Sequence, residues 1–343
     1  MNTAIKTDVV IIGAGPVGLF AIFECGMMRL KCHVVDALEM VGGQCAALYP
    51  EKPIYDIPGF PRIEASELIK NLETQAQPFN PVYHVNQQVE ILQPLEDNRW
   101  FVQTSTGTQI NTKVVIIAAG VGAFGPNRPP LEGIEAYEGK SVLYYIQKRE
   151  QFADQRVVIA GGGDSAVDWA LSLSEIAKKV MVVHRRPKFR AAPESEVQLH
   201  QLVAQGKIEL VVPYQLDGLQ GHNGQLDAVL VKTLEGETRR LETDYLLPFF
   251  GLSMNLGPIN DWGLNLEKHH IQVEPGTCLT NRPGILAIGD IATYPHKLKL
   301  ILTGFSEAAQ AAHTARTLVH PGEVWHFEHS TTQGIPHKET AAA

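Results

Sequence analysis

The fold of this 343-residue chain is decided by the sequence DVVIIGAGPVG at residues 8–18. An unbroken β-branched run that ends in three spaced glycines predicts a buried strand, a tight turn and a helix that begins near Pro16. Gly13 would permit the turn, Gly15 would let the backbone approach a pyrophosphate, and Gly18 would let the helix pack closely on the strand. Free N–H groups at the helix N-terminus would face the phosphates. The stretch therefore predicts the start of a nucleotide-binding βαβ unit.

A carboxylate follows the second strand of this unit. The run Cys32–Val35 predicts that strand, and Asp36 comes eighteen residues after Gly18. A carboxylate in this place accepts hydrogen bonds from ribose hydroxyls and repels a ribose phosphate. We therefore expect the first site to hold an unphosphorylated adenosine half, such as that of FAD or NAD. The alternative is a glycine turn that serves only the packing of the fold.

Composition sets the broad class of the protein. With 343 residues and 44% hydrophobic content, the chain is expected to form about two domains. The formal net charge of −8, without a long lysine or arginine run, argues against a nucleic-acid partner. The first residues lack the patterns of a signal peptide or presequence, and no apolar run reaches membrane-spanning length. We expect a cytoplasmic protein with no membrane partner.

The cysteines constrain metal and redox chemistry. The chain has four cysteines and no CxxC pair, and its thirteen histidines show no ligand spacing with them. Neither a metal site nor a redox dithiol is predicted. We expect all four thiols to be reduced and packed: Cys25, Cys32, Cys45 and Cys278.

A long segment without a helical or strand period occupies residues 39–61. It is rich in glycine, proline and aromatic residues, and loops of this length inside a compact domain are usually functional. We expect it to line the cofactor. The pattern next predicts an amphipathic helix over residues 63–77 and an antiparallel meander over 83–92 and 100–106. A buried strand over 113–120 would complete the sheet.

The second half of the chain repeats the first. Residues 156–160 predict a buried strand, 167–178 a helix and 179–183 a second strand. A second glycine turn lies between the first strand and the helix, with alanine in the third glycine position. The candidate binding residues of this turn are Gly161, Gly163, Asp164, Ser165 and Ala166.

The second motif carries the opposite charge from the first. His184 lies eighteen residues after Ala166, the same offset that separates Asp36 from Gly18. Arg185 and Arg186 follow it directly, and Arg190 is close behind. Because guanidinium groups pair with phosphates through charge-assisted hydrogen bonds, this site should prefer NADPH to NADH. The alternative is that these residues form a solvated basic turn.

The order of motifs predicts an α/β fold with two Rossmann-like dinucleotide-binding domains, the NADPH domain inserted into the FAD domain. Residues 1–120 and 285–343 would form the FAD domain, with a C-terminal extension over 320–343, and 121–284 would form the NADPH domain. The apolar run 283–290 would return to the first sheet and end on Asp290. A helix rich in small residues is predicted over 303–318.

The two glycine motifs, together with GGQ at residues 42–44, IPGF at 57–60 and Gly289-Asp290, resemble the thioredoxin-reductase branch of the pyridine-nucleotide flavoproteins over nearly the whole chain. Residues 144–156, where that branch carries its CxxC, contain no cysteine, which excludes dithiol chemistry there. ALYPEK at 47–52 and HSTT at 329–332 resemble the ferredoxin–NADP⁺ reductases of thioredoxin-reductase type more closely.

This resemblance implies a set of FAD contacts. Asp36 would bind the adenosine ribose and Val89 the adenine, while Asp290 would bind the ribityl chain. Tyr49 and His329 would cover the two faces of the isoalloxazine. The remaining implied contacts are Gln44, Phe124 and Thr331.

The resemblance also implies an activity and partners. A hydride would pass between NADPH and FAD, and electrons would pass singly to ferredoxin or flavodoxin, with no catalytic acid and with the protein a homodimer. Two alternatives stay open: a reductase of quinones or free flavins, and a redox-sensing flavoprotein without turnover. The sequence leaves Lys148/Arg149 and Lys297/Lys299 as alternative docking sites for the acceptor.

Overall fold

The computed structural model describes residues 4–323, with the backbone alone at residues 123–125 and 252–254. These residues form two compact units. Unit 1 comprises the described residues up to 123 and from 254 onward, and unit 2 comprises residues 124–253. The sequence placed the two boundaries after residues 120 and 284. The second boundary differs because residues 254–284 pack with unit 1, where Trp262 and Ile271 share a core with Val10.

The first segment of unit 1 contains strands and helices in the predicted order. They are β1 (Ile5–Ile12), α1 (Pro16–Met27), β2 (Cys32–Val35), α2 (Gly43–Ala47), β3 (Pro53–Ile54), β4 (Ile63–Glu64), α3 (Ala65–Ala76), β5 (Val82–His84), β6 (Val89–Pro94), β7 (Trp100–Thr104) and β8 (Gln109–Ile117). The segment 39–61 is thus less irregular than its sequence suggested, since it contains α2 and β3.

The remaining elements follow along the chain. At the boundary and in unit 2 they are β9 (Ala123–Pro126), β10 (Arg156–Ala160), α4 (Asp164–Leu173), β11 (Lys179–Val183), α5 (Pro193–Ala204), β12 (Ile208–Val211), β13 (Gln215–His222), β14 (Gln225–Lys232), β15 (Thr238–Glu242), β16 (Tyr245–Pro248) and β17 (Leu252–Asn255). Unit 1 then continues with β18 (Leu266–Glu267), β19 (His270–Gln272), β20 (Ile285–Ala287), β21 (Ala292–Thr293) and α6 (Ile301–Val319).

The main sheet of unit 1 has the order β5-β2-β1-β8-β7-β6, and β20 also pairs with β8. The central strands are parallel and buried on both faces, which explains their unbroken apolar runs. The antiparallel meander predicted over 83–92 and 100–106 is present in β6 and β7, but it does not include residues 82–84. Those residues form β5, which is parallel to β2 at one edge, whereas β6 is antiparallel to β7 at the other edge. Alternation alone does not identify a strand's partner.

Unit 2 contains a parallel sheet of order β12-β11-β10-β16 and a small antiparallel sheet of order β13-β14-β15. The predicted strands at 156–160 and 179–183 match β10 and β11. In unit 1, α1 packs against α3 and α6 beneath the main sheet. None of the helices between residues 4 and 323 is both long and apolar enough to cross a membrane.

Candidate functional site

The glycine turn of unit 1 has two glycines that the protein's own packing requires. Gly13 has a φ of 106°, and a Cβ built there would lie 2.4 Å from the carbonyl oxygen of Ala118. A Cβ on Gly18 would lie 2.0 Å from the carbonyl oxygen of Gly13. Gly15 differs, because the atom nearest to a Cβ built there would be the Cα of Gly43, 4.0 Å away. Open space at that position fits a turn that a phosphate group approaches closely.

The carboxylate of Asp36 lies against this turn. Its Oδ2 accepts a hydrogen bond from the Ala14 N–H at 2.6 Å, and its Oδ1 accepts one from the Leu38 N–H at 2.8 Å. Asp36 is 9% exposed, and burial raises its pKa while these two hydrogen bonds lower it in part. The sequence offset therefore does bring Asp36 to the glycine turn.

The segment that contains α2 covers the same turn. Gly42 donates its N–H to the carbonyl oxygen of Ala14 at 2.8 Å. Gly43 is so close to the turn that a Cβ on it would lie 3.0 Å from the Cα of Gly15. The side-chain amide nitrogen of Gln44 would lie 3.8 Å from a Cβ on Gly120. The predicted contact residue Gln44 is thus near the ends of β1 and β8.

Tyr49, Cys45 and Asp290 form a polar group near this loop. The Cys45 thiol donates to the Tyr49 hydroxyl at 3.9 Å. Burial raises the pKa of Tyr49 well above its ordinary value and that of Cys45 to about 11, and the charge of Asp290 adds to both shifts. Asp290 is therefore within electrostatic reach of both side chains. The predicted residues Tyr49 and Asp290 thus interact electrostatically.

Other predicted FAD contacts have different outcomes. Val89 is 3% exposed and packs in the core with Val35, and its contact with the adenine stays a prediction. Phe124 is on β9, where the structure describes the backbone alone. His329 and Thr331 lie outside the described residues.

The glycine turn of unit 2 is built in a similar way. A Cβ on Gly161 would lie 2.6 Å from the carbonyl oxygen of Phe249, whereas a Cβ on Gly163 would meet nothing within 4 Å. Ala166, in the third glycine position, is fully buried in α4. Ser165 is exposed in the first turn of α4, and Asp164 accepts a hydrogen bond from the Ala192 N–H at 2.9 Å.

His184 packs directly on this second turn. A Cβ on Gly162 would lie 2.3 Å from the His184 ring, whose other neighbour is the ring of Phe189 at a centroid distance of 5.3 Å. Burial lowers the pKa of His184, and the nearby arginine charges lower it further, against one hydrogen bond with the Lys188 backbone that raises it. Burial and the arginine charges thus favour the neutral imidazole.

A cavity of about 1110 Å³ in unit 2 joins the turn to the basic segment. Asp217 is the one carboxylate among its described lining residues, and its Oδ1 is 2.5 Å from Lys232 Nζ. Arg190 donates its N–H to the carbonyl oxygen of Gly162 at 2.6 Å. The lining groups that the sequence predicted are Gly161, Gly163, His184, Arg185, Arg186 and Arg190. The basic segment thus borders a cavity beside the glycine turn.

Sequence reasoning missed several of the residues that line this cavity. Tyr214, which directly precedes β13, and Gln215, its first residue, line the cavity together with Asp217 and Lys232. The sequence analysis assigned none of these four residues to a ligand site. The Tyr214 N–H donates to the carbonyl oxygen of His184 and so brings the start of β13 next to the basic segment. This contact forms only in the folded chain, and no pattern in the sequence signals it.

The structure also separates the alternative docking residues. The Lys297 side chain is 5% exposed and lies 2.6 Å from Glu307, so it is unsuited to surface docking. Arg149 forms an ion pair with Glu175 and is partly exposed, whereas Lys148 and Lys299 are exposed. The four cysteines are free and buried, and all belong to unit 1. Residues 4–323 contain no cluster of three or more side chains suited to holding a metal ion.

The family model described as pyridine nucleotide-disulphide oxidoreductase matches residues 7–316, so the chain belongs to that class. The Ferredoxin--NADP reductase of Paramagnetospirillum magneticum is 64% identical and covers 96% of this chain and 98% of its own length. That of Rhodospirillum rubrum is 61% identical and covers 98% of both. The chain belongs to the ferredoxin–NADP reductase family of the pyridine nucleotide-disulphide oxidoreductases.

Solved structures support the fold at lower identity. The thioredoxin reductase of Lactococcus lactis has a TM-score of 0.79 and 26% identity, and the match covers 92% of this chain and 99% of that one. The predicted fold class and the predicted family are therefore confirmed. The roles of the individual site residues stay predictions.

Proposed function

We propose that this chain is an FAD-dependent ferredoxin–NADP⁺ reductase, which transfers electrons between NADPH and an iron–sulfur or flavin carrier. The observation that carries the proposal is the contrast between two sites of the same construction. Asp36 contacts the glycine turn of unit 1, whereas His184 with Arg185 and Arg186 borders the glycine turn of unit 2. The chain therefore offers one site for a dinucleotide without a ribose 2′-phosphate and a second site for a dinucleotide that carries this phosphate.

Unit 1 fits FAD on its own geometry. Gly15 leaves open space at the N-terminus of α1, and Asp36 is held where a ribose hydroxyl would meet it. Tyr49 would serve the isoalloxazine and Asp290 the ribityl chain, and the charge of Asp290 acts on Tyr49. When bound, FAD supplies the redox chemistry that couples two-electron hydride transfer to one-electron transfer. The protein's residues bind and orient it, and no side chain is assigned a catalytic proton transfer.

Unit 2 fits NADPH by charge and by space. Gly163 leaves room at the N-terminus of α4, and Arg185 and Arg186 are exposed at the cavity. Their guanidinium groups can form charge-assisted hydrogen bonds with a 2′-phosphate. The His184 ring packs on the turn and so fixes the start of this basic segment.

Disulfide chemistry is not supported for this member of the class. Unit 2 contains no cysteine, and Cys45 is 1% exposed with a pKa raised by burial to about 11. Thiolate is the reactive form of cysteine, so this thiol is a poor nucleophile. The electrons leave through another acceptor, and the names of the relatives in the family support ferredoxin.

We also propose that the enzyme is a cytoplasmic homodimer. The support is the family resemblance and the apolar segment 324–327 of the C-terminal extension, which lies outside the described residues. His329 and Thr331 would then cover a flavin. Light scattering tests the dimer, and a monomer at working concentration contradicts it. A chain truncated after His320 should change the oligomeric state and the flavin absorption together.

Stopped-flow reduction under anaerobic conditions tests the activity. The purified protein should show oxidised flavin absorption, lose it on mixing with NADPH, and recover it when oxidised ferredoxin or flavodoxin is added. Recovery only with quinones or free flavin would favour another reductase. Reduction without recovery by any acceptor would favour a redox sensor.

A further inference from the structure

A buried ion pair holds both main-chain polar groups of Gly289. The Gly289 N–H donates to Oε2 of Glu307 at 2.7 Å, and Nζ of Lys297 donates to the carbonyl oxygen of Gly289 at 2.7 Å. The side chains of Lys297 and Glu307 are 2.6 Å apart and are 5% and 3% exposed. The Tyr294 hydroxyl donates to Oε1 of Glu307 at 2.7 Å. Each oxygen of the carboxylate therefore has a partner.

Stability alone does not account for this pair. Burying two charges costs free energy, and apolar side chains of similar volume often stabilise a fold equally well or better. Apolar side chains could not, however, hydrogen-bond the N–H and the carbonyl group of Gly289. The pair thus specifies the conformation of one turn, where Gly289 has a φ of 72°.

The fixed turn adjoins the proposed FAD site. Gly289 directly precedes Asp290, whose charge acts on Cys45 and Tyr49. A Cβ on Gly289 would lie 3.4 Å from Val17, the second residue of α1. The turn therefore packs on the helix that follows the first glycine turn. A shift of Gly289 would move Asp290 relative to that helix.

We propose that Glu307 and Lys297 are positioning residues for FAD, which hold the Gly289–Asp290 turn in the conformation that binds the flavin half. The inference rests on the proposed function, because it requires FAD in unit 1. Neither side chain needs to touch the ligand. The proposal also gives Lys297 a role inside the protein instead of at a docking surface.

Three variants test the proposal: Glu307→Ala, Lys297→Met, and the double variant Lys297→Met/Glu307→Gln. Each full-length holoenzyme is dialysed against a series of FAD concentrations, and the dissociation constant is measured. Both single variants should weaken FAD binding by at least about tenfold, because one leaves Gly289 N–H unpaired and the other leaves a buried carboxylate without its countercharge. The double variant should recover about half of that loss on a logarithmic scale, since its amide can still accept from Gly289 and bond Tyr294.

Thr112→Val is the matched control for a general loss of stability. Thr112 is fully buried in β8, where its hydroxyl bonds the carbonyl oxygens of Asp8 and Val114 at 2.9 Å. It pairs with Thr7, toward the end of β1 that is remote from Gly13. This variant should lower the melting temperature but change the FAD dissociation constant by less than about twofold. The absorption spectrum of bound FAD should change in Glu307→Ala and stay unchanged in Thr112→Val.

The outcomes separate this inference from the proposed function. A wild-type protein that binds no FAD would overturn both. A wild-type protein that binds FAD, together with single variants of unchanged affinity and spectrum, would overturn the inference alone. If Glu307→Ala does not fold, Lys297→Met and the double variant decide. Equal losses in Lys297→Met, the double variant and Thr112→Val would assign the pair a purely structural role.

Discussion

The ring of His184 packs on Gly162 in unit 2, and the carboxylate of Asp36 contacts Ala14 at the equivalent positions of unit 1. Each pair joins the middle residue of a glycine turn to the residue that follows the second strand. In unit 1 the Ala14 N–H donates to Asp36, and in unit 2 the imidazole occupies the space where a Cβ on Gly162 would be, 2.3 Å away. The middle residue is thus glycine in unit 2 because a ring packs on it, and alanine in unit 1 because a carboxylate does not need that space.

Gly162→Ala should destabilise the protein through His184. The added methyl group overlaps the ring, and overpacking of this kind costs about 1 to 3 kcal/mol. In a His184→Ala background the same change should cost less than about 1 kcal/mol, because the ring is absent. Urea unfolding of the four proteins measures the coupling. Equal costs in both backgrounds would show that the ring is not what demands glycine.

Gly163→Ala should leave the fold intact and weaken dinucleotide binding. A Cβ there meets no protein atom within 4 Å, so the free energy of unfolding should change by less than about 0.5 kcal/mol. The methyl group would stand where the pyrophosphate approaches, and the affinity for NADP⁺ should fall by about tenfold or more. Calorimetric titration measures it. Gly218→Ala, on β13 of the same unit, is the control and should bind NADP⁺ normally. If Gly163→Ala also bound NADP⁺ normally, the pyrophosphate would not approach Gly163.

Tyr49→Ala should increase the fluorescence of bound FAD. If the ring covers one face of the isoalloxazine, its loss removes a quencher and a stacking contribution of about 0.5 to 1.5 kcal/mol. Tyr49→Phe should behave as the wild type does, because it keeps the ring. Tyr55→Ala serves as the control, since Tyr55 belongs to the same loop but is 66% exposed. Comparable fluorescence changes in Tyr49→Ala and Tyr55→Ala would argue against stacking by Tyr49.

The thiols should be unreactive in the folded protein. Burial raises the pKa of Cys45 to about 11 and that of Cys278 to about 12, so only about one Cys45 in a thousand is ionised at pH 8. A chromogenic disulfide reagent should detect four thiols after denaturation and none quickly before it. Because these folded-state pKa values lie above the ordinary value of 9.0, the stability that the protonated thiols contribute is complete below pH 9.0. It should be lost as the pH rises through about 11 to 12. A native thiol that reacts within seconds at pH 8 would contradict this.

The sequence predicted the parts of the fold that depend on local pattern. Apolar runs defined β10 and β11 to the residue, and glycine spacing located both turns. It did not predict that β5 pairs with β2, because a three-residue strand carries no signal of its partner. The Glu307–Lys297 pair was missed for a similar reason. An acid in an alanine-rich helix and a lysine in a loop become related only when both meet Gly289 in the folded chain.

Arg185→Ala/Arg186→Ala should change the choice between NADPH and NADH. Both arginines border the cavity of unit 2, and the double change removes contacts that only a 2′-phosphate can make. Each charged hydrogen bond contributes about 1.5 to 3 kcal/mol, so kcat/KM with NADPH should fall by about ten- to a thousandfold. NADH lacks that phosphate, and its kcat/KM should change by less than about threefold.

Most of this loss should appear in KM, because the phosphate is remote from the transferred hydride and is bound alike in the ground and transition states. Arg240→Ala provides the control, since Arg240 is on β15 in the same unit and pairs with Gln220 and Glu242. It should change neither efficiency. The rates are measured with ferredoxin or a dye at saturation, so that flavin reduction limits turnover. If the double variant lost efficiency equally with NADPH and NADH, the arginines would hold the turn of unit 2 and would not select the phosphate.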